Sequence, residues 1–181
     1  MDRSYRESFP ETVCPETPDE LVYTGPYKLN DPLPGAGITV AEGLLSPTRT
    51  YAPIMRDIYK EGAKLIHGVI HCTGGGQTKC LRFGRNLRYV KEDLLPIPPI
   101  FMEIKKVSGA SWKEMFEVFN MGHRLEVITD PEGVSLIQEK ARAYGVDSKV
   151  IGRVEHSAQG NELYIKAPDG MLCWRQAKGD R

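Results

Sequence analysis

The residues best suited to chemistry lie in one glycine-rich segment, residues 71–79, which reads HCTGGGQTK. Glycines lack a Cβ atom, so their backbone N–H groups approach and surround phosphate oxygens closely. The segment has neither the G-x-x-x-x-G-K-[ST] spacing of a Walker A loop nor the G-x-G-x-x-G spacing of a dinucleotide loop. From spacing alone, Thr73 and residues 74–76 form either a phosphate-binding loop or a tight turn between packed elements.

Two histidines belong to the apolar run that leads into this segment. His71 is placed either to hydrogen-bond a substrate and act as an acid or base near neutral pH, or to be a satisfied core histidine. His67 shares its face of a strand because side chains alternate with a period of two. Two histidines without a third candidate ligand predict no metal site.

Two further polar segments are candidates for ligand contact. Thr48 and Arg49 precede a predicted helix, where anions bind and a guanidinium grips phosphate bidentately, or else they are an exposed cap and a surface arginine. Asn120-Met121-Gly122 joins a predicted helix to a predicted strand. There, Asn120 donates to a ligand, or Gly122 simply permits the turn.

The composition is that of a soluble globular protein. Of the 181 residues, 40% are hydrophobic and 27% are charged, which argues against disorder and against a membrane protein. Lysine plus arginine equals aspartate plus glutamate at 24 each, so we expect no nucleic-acid or membrane partner, and any anion site must be local. The four cysteines form no C-x-x-C pair, which predicts reduced thiols in a cytoplasmic protein.

The elements that position these residues follow from periodicity and capping signals. Strands are predicted at residues 21–29, 38–45, 65–71, 87–90, 124–129 and 149–154, with a hairpin at 162–166 and 171–174. Helices are predicted at residues 51–62 with a serine or threonine cap, at 98–107, at 111–119 and at 131–145. Because helices and strands alternate irregularly, we predict an α+β fold with a mixed β-sheet flanked by helices.

Five motifs in order resemble the C-terminal domain of the AIR synthase (phosphoribosylformylglycinamidine cyclo-ligase) family: LLSPTRTYAPIM, HCTGGGQ, PIPPIF, FNMGHRLEV and KVIGRVE. The resemblance covers about residues 21–155. The S-P-T-R-x-Y segment combined with F-N-M-G favours AIR synthase over selenophosphate synthetase, thiamine-monophosphate kinase and formylglycinamide ribonucleotide amidotransferase, which share the fold. We therefore predict a tail or connecting segment at residues 1–20, a domain at 21–156 and a C-terminal hairpin extension at 157–181.

The resemblance implies that ATP activates the formyl oxygen of formylglycinamidine ribonucleotide. An internal nitrogen then closes the imidazole ring, and ADP and phosphate are released. In this family most groups that bind ATP and magnesium lie on an N-terminal domain whose motifs this chain lacks. We therefore expect two partners, the phosphorylated ribonucleotide and that domain in cis or in trans, and expect this chain alone to be monomeric, to bind neither ATP nor magnesium and to be inactive.

The resemblance also implies roles for particular residues. His71 is the catalytic candidate, and the proposed substrate or phosphate contacts are Thr73, Gly74, Gly75, Gly76, Thr48, Arg49, Asn120, Met121 and Gly122. The sequence departs from the usual family pattern at two places, which puts substrate contacts there in doubt. Residues 77–79 read QTK where the family commonly has leucine-proline-glutamate, and residues 123–124 read HR where small residues usually follow F-N-M-G. Two alternatives stay open: a non-catalytic module that binds a phosphometabolite or a protein, and a kinase-like relative.

Overall fold

A computed structural model describes residues 4–22 and 25–176. Within these residues there are six α-helices, α1 (Ser4–Ser8), α2 (Val40–Leu45), α3 (Ala52–Gly62), α4 (Pro99–Ser108), α5 (Trp112–Val118) and α6 (Gly133–Ala143). The six strands are β1 (Ile66–His71), β2 (Leu87–Lys91), β3 (Leu125–Thr129), β4 (Gly152–His156), β5 (Glu162–Ala167) and β6 (Gly170–Arg175). Short 3-10 helices occur at Pro10–Thr12, Asp19–Leu21, Ala63–Leu65 and Gly76–Arg82.

The chain divides into two compact units. The first unit comprises Met1–Thr48 and Pro98–Ala110, and the second comprises Arg49–Ile97 and Ser111–Arg181. The first unit contains α1, α2 and α4. The second contains the other three helices and all six strands, including the glycine-rich segment.

Both strands predicted in the first unit are wrong. In the range 21–29, Leu21 ends a 3-10 helix and residues 25–29 are irregular, while residues 23–24 lie outside the described residues. The range 38–45 is mostly helix α2, which a capping box starts: Thr39 Oγ1 accepts the N–H of Glu42, and Glu42 Oε2 accepts the N–H of Thr39. These local bonds satisfy backbone N–H groups that in a strand would bond to a neighbouring strand. The T-x-x-E capping signal therefore determines a helix here, although the apolar run is typical of a strand.

Helix α4 follows the prediction. It begins at Pro99, where the missing N–H costs no helical bond, and Gly109 ends it in a left-handed conformation at φ 69°. The N–H of Gly109 donates to the carbonyl of Lys105. Sequence capping signals therefore set both ends of this helix.

Most of the predicted elements of the second unit are confirmed. Helices α3, α5 and α6 and strands β1, β2, β3, β5 and β6 lie where periodicity placed them, within about two residues. The serine or threonine cap predicted for α3 is wrong, because Tyr51 is the N-cap and makes no side-chain capping bond. Strand β4 begins at Gly152 rather than at residue 149, because the carbonyl of Ile151 accepts the N–H groups of both Glu92 and Asp93 and ends the regular ladder there.

The predicted mixed sheet is confirmed. Its order is β4-β2-β5-β6, with β2 parallel to β5 and the other two pairs antiparallel. Strand β5 is thus an interior strand, and the hairpin β5-β6 belongs to this sheet. Strands β1 and β3 form a separate antiparallel pair. Strand β1 ends at the glycine-rich segment, and β3 begins shortly after the Asn120-Gly122 turn.

The core of the second unit consists of large apolar side chains from helices and the four-stranded sheet. Phe116, Leu163 and Ile165 are fully buried, and Met115 and Ile58 are nearly so. Burial of such side chains is the dominant favourable contribution to folding. Among residues 4–22 and 25–176, no helix is long and apolar enough to cross a membrane.

The cysteines give a test of this packing. The described structure has four free thiols, with Cys14 exposed and Cys72 and Cys80 buried. Burial raises the pKa of the Cys72 thiol to about 12 and that of the Cys80 thiol to about 11. Because the thiolate is the reactive form, we expect iodoacetamide at pH 8 to modify Cys14 rapidly and the two buried thiols only after denaturation.

Peptide mass spectrometry at timed intervals measures these rates directly. The urea-unfolded chain is the control, in which all four thiols are expected to react at similar rates. Equal labelling of Cys14, Cys72 and Cys80 in the native chain would show that the fold does not bury this segment.

Candidate functional site

The glycine-rich loop begins where strand β1 ends at His71. Thr73 donates its N–H to the carbonyl of His71 at 2.8 Å, and Gly76 donates its N–H to the carbonyl of Thr73 at 2.9 Å. Gly75 has φ 96° and Gly76 has φ 49°, both in the left-handed region that favours glycine. Within the described part of the chain, the N–H groups of Gly74 and Gly75 have no acceptor, so two donors remain for a ligand.

The three glycines differ in what surrounds them. A Cβ atom on Gly74 would meet nothing within 4 Å, and both Gly74 and Thr73 are exposed. A Cβ atom on Gly76 would lie 2.5 Å from the carbonyl oxygen of Phe119 and 2.7 Å from that of Phe116. The loop therefore has an open outer side at Gly74 and a tightly packed inner side at Gly76.

The Asn120-Met121-Gly122 turn lies against this inner side. Asn120 Oδ1 accepts the N–H of Gly122 at 2.9 Å, and Met121, fully buried, adopts a positive φ of 51°. Gln77 Nε2 donates to the carbonyl oxygen of Asn120 at 2.7 Å. The structure thus brings together two segments that are more than forty residues apart in the sequence.

A buried lysine side chain holds the loop in place from the interior of the protein. Lys91, 4% exposed at the end of β2, donates to Gln77 Oε1 at 2.9 Å and to the Gln77 carbonyl at 3.2 Å. Its third partner is Glu126 Oε1 on β3, at 2.6 Å. Burying an ammonium group costs several kcal/mol unless it is paired and hydrogen-bonded, and three acceptors match its three hydrogens.

This network defines the position of Gln77. The resemblance put substrate contacts of residues 77–79 in doubt, and the side chain of Gln77 is fully buried and bonds inside the protein. No role was predicted from the sequence for Lys91 or Glu126. Their signals are the lysine that ends the strand sequence LRYVK and the glutamate within the apolar strand sequence LEVIT.

His123 directly follows the turn and is 3% exposed. Its Nε2 accepts the N–H of Leu95 at 2.9 Å, which requires the neutral ring with its proton on Nδ1. Burial lowers the pKa of His123, which also favours this neutral form. His123 Nδ1 is buried and finds no partner within the described part of the chain. The backbone N–H of His123 donates to the carbonyl of Asn120, which strengthens the turn.

Three further predicted site residues, His71, Arg49 and Thr48, are exposed. His71 is exposed, and its ring meets the ring of Tyr51 edge-on with centroids 6.1 Å apart. Arg49 is exposed and precedes Tyr51 by two residues, so their Cα atoms are at most about 7 Å apart. Thr48 is exposed and ends the Met1–Thr48 segment of the first unit.

The described residues include no group of three His, Cys, Asp or Glu side chains that fits a metal ion. His67, the second histidine of β1, instead pairs with Asp130 through Nε2 and Oδ1 at 2.9 Å.

The contrast between Gly76 and Gly74 yields a stability test. We expect Gly76→Ala to lower the free energy of unfolding by about 3 kcal/mol, since the methyl group clashes with two carbonyl oxygens and φ is positive. Gly74→Ala, the matched control, should change it by less than about 0.5 kcal/mol. Urea unfolding followed by circular dichroism measures both. Equal stability of the two variants would contradict the packing described for Gly76.

Comparison with known proteins identifies relatives of this chain. A family model described as AIR synthase related protein, C-terminal domain, matches residues 19–164. Similar proteins named phosphoribosylformylglycinamidine cyclo-ligase occur in Methanococcus vannielii, 37% identical over 68% of this chain, and in Methanocaldococcus jannaschii, 36% identical over 77%. A relative with the same name from Lachnospira eligens is 34% identical over 75% of this chain.

These alignments cover 35% of the Methanococcus vannielii protein and 40% of each of the other two. The chain thus corresponds to well under half the length of these relatives. The resemblance predicted from the five motifs is confirmed, because the family model matches most of the chain. This chain belongs to the family of AIR synthase related proteins, as a member of its C-terminal domain family.

Proposed function

We propose that this chain forms the substrate-side part of a phosphoribosylformylglycinamidine cyclo-ligase. The complete enzyme would convert formylglycinamidine ribonucleotide and ATP to aminoimidazole ribonucleotide, ADP and phosphate in purine biosynthesis. The names of its relatives support this reaction. The observation that carries the proposal is the glycine-rich loop. It has two N–H groups without an acceptor in the described part of the chain, an exposed Gly74, and buried hydrogen bonds that hold it in place.

In this proposal the loop binds the phosphate of the ribonucleotide. Gly74 and Gly75 donate their N–H groups to phosphate oxygens, and Thr73 contributes a hydroxyl group beside them. Gly76 allows the close packing that holds the loop in place, as does the turn formed by Asn120, Met121 and Gly122. Since none of these N–H groups has to break a bond inside the protein, binding requires little reorganisation.

His71 is the residue that we propose for proton transfer. It is exposed and precedes the loop directly, so a substrate held by its phosphate at Gly74 places its other groups within range of the imidazole. Tyr51 contacts the ring edge-on and limits its orientations. Arg49, exposed and in the same unit as the loop, supplies a further polar contact to the substrate in this proposal.

ATP and magnesium bind elsewhere in the complete enzyme under this proposal. The described residues offer no cluster of three metal-ligating side chains. This chain aligns with only 35% and 40% of the length of two relatives. We propose that the N-terminal domain typical of the family supplies the groups that bind ATP and magnesium, either in the same protein or from a separate chain. In this proposal that domain activates the formyl oxygen, and this chain supplies groups that bind the substrate. The complete enzyme works in the cytoplasm, without a nucleic-acid or membrane partner.

Calorimetric titration of this chain with formylglycinamidine ribonucleotide, and separately with ATP plus magnesium, tests the proposal. We expect the ribonucleotide to bind and ATP not to bind. Gly74→Val should weaken ribonucleotide binding at least tenfold without changing the unfolding midpoint, because its Cβ points to open space while its bulk covers the loop. Loss of several charge-assisted bonds justifies this magnitude.

A second arm adds the N-terminal domain of the Methanocaldococcus jannaschii relative and measures ATP-dependent ring closure. Turnover that disappears with His71→Ala supports the cyclo-ligase proposal and the role of this residue. A ribonucleotide that binds without turnover in a stable complex favours a non-catalytic phosphometabolite-binding module. Absence of ribonucleotide binding, or equal binding by Gly74→Val, contradicts the proposal.

A further inference from the structure

The charge of the chain is distributed unevenly around the glycine-rich loop. The whole chain carries 24 basic and 24 acidic residues, yet residues 62–91 contain no aspartate or glutamate. The same segment contains six basic residues, Lys64, Lys79, Arg82, Arg85, Arg88 and Lys91. A chain without net charge thus concentrates positive charge on the segment that includes the loop.

Two of these cations are neutralised by carboxylates from other strands. Lys91 pairs with Glu126 at 2.6 Å, and Arg88 pairs with the buried Glu162 at 3.0 Å. The described structure gives Lys79 and Arg82 no carboxylate partner. Their charges are therefore available to an anion from solution.

Both of these uncompensated side chains border the loop. Lys79 Nζ donates to Thr73 Oγ1 at 2.6 Å, so the lysine side chain extends from the 3-10 helix back to the start of the loop. A Cβ atom on Gly75 would lie 3.7 Å from Arg82 Nη2 and 3.9 Å from Lys79 Cβ. The guanidinium and the lysine side chain thus flank the glycine whose N–H lacks an acceptor.

We propose that Lys79 and Arg82 are phosphate-binding residues that bind the dianion of a phosphate monoester at this loop. Lys79 retains two ammonium hydrogens beyond its bond to Thr73, and the Thr73 hydroxyl, which accepts that bond, keeps its own hydrogen to donate. Arg82 offers a planar fork suited to two phosphate oxygens. The proposal deepens the function proposed above and rests on it for the identity of the natural ligand.

The residues of the QTKCLR segment then have distinct tasks. Gln77 and Cys80 face the interior and are buried, whereas Lys79 and Arg82 border the loop outside. A 3-10 helix has three residues per turn, so Lys79 and Arg82 lie above one another on one face, and Gln77 and Cys80 on another. This spacing explains how one short helix both anchors the loop and supplies its cations.

Titration of the 181-residue chain with ribose 5-phosphate and with ribose tests the assignment. We expect ribose 5-phosphate to bind, ribose not to bind, and Lys79→Met and Arg82→Met each to weaken phosphate-dependent binding about tenfold. Methionine has a helix propensity close to that of lysine and arginine, so the unfolding midpoints should not change. Arg142→Met on α6, another exposed arginine, is the matched control and should bind as the wild type does.

Salt dependence separates a direct contact from a structural role. A cation that touches the phosphate contributes to the fall of affinity with ionic strength, so both variants should show a shallower dependence than the wild type and Arg142→Met. Wild-type binding that does not distinguish ribose 5-phosphate from ribose, or variants with unchanged affinity and salt dependence, would overturn the assignment. If those variants still bind formylglycinamidine ribonucleotide as the wild type does, the proposed function stands and only the roles of Lys79 and Arg82 fail.

Discussion

The buried ammonium group of Lys91 is the interaction on which the candidate site depends. It joins the end of β2 to Glu126 on β3 and to both oxygens of Gln77 in the loop helix. Gln77 in turn donates to Asn120, so one cation connects four segments of the second unit. In a region of low dielectric, such a fully bonded charge specifies one arrangement, because any slip of the loop leaves a buried charge without partners.

This anchoring explains how the loop combines rigidity with an open face. The packed side meets Phe116 and Phe119 at Gly76, where no side chain fits, and the outer side presents Gly74 to solvent. Backbone donors that are already ordered bind an anion without losing further conformational freedom. The same short 3-10 helix turns Gln77 inward and carries Lys79 across to Thr73. The geometry therefore separates the residues that hold the loop from those that we propose to contact phosphate.

Local signals predicted much of the second unit. Pro53 in the first turn of α3, the Ser111 cap of α5 and the turn between β5 and β6 each act over a few residues, and the corresponding elements are confirmed. In the first unit, the strand predicted at 38–45 is wrong because the capping box of Thr39 and Glu42 starts a helix within the apolar run. The motifs identified the loop and the Asn120-Gly122 turn separately. Their contact, and the Lys91–Glu126 pair, join residues 35 or more positions apart, which no local spacing encodes.

The central claim is that the buried Lys91 charge network holds the loop in its binding geometry, and a double-mutant cycle tests it directly. Free energies of unfolding and ribonucleotide affinities would be measured for Lys91→Met, Glu126→Leu and the double variant. Each single change leaves a buried charge unpaired and should cost about 3–5 kcal/mol with loss of binding, while the double variant should be less destabilised than the sum by more than about 1 kcal/mol. Single variants that lose less than about 1 kcal/mol and bind the ribonucleotide as the wild type does would contradict the claim.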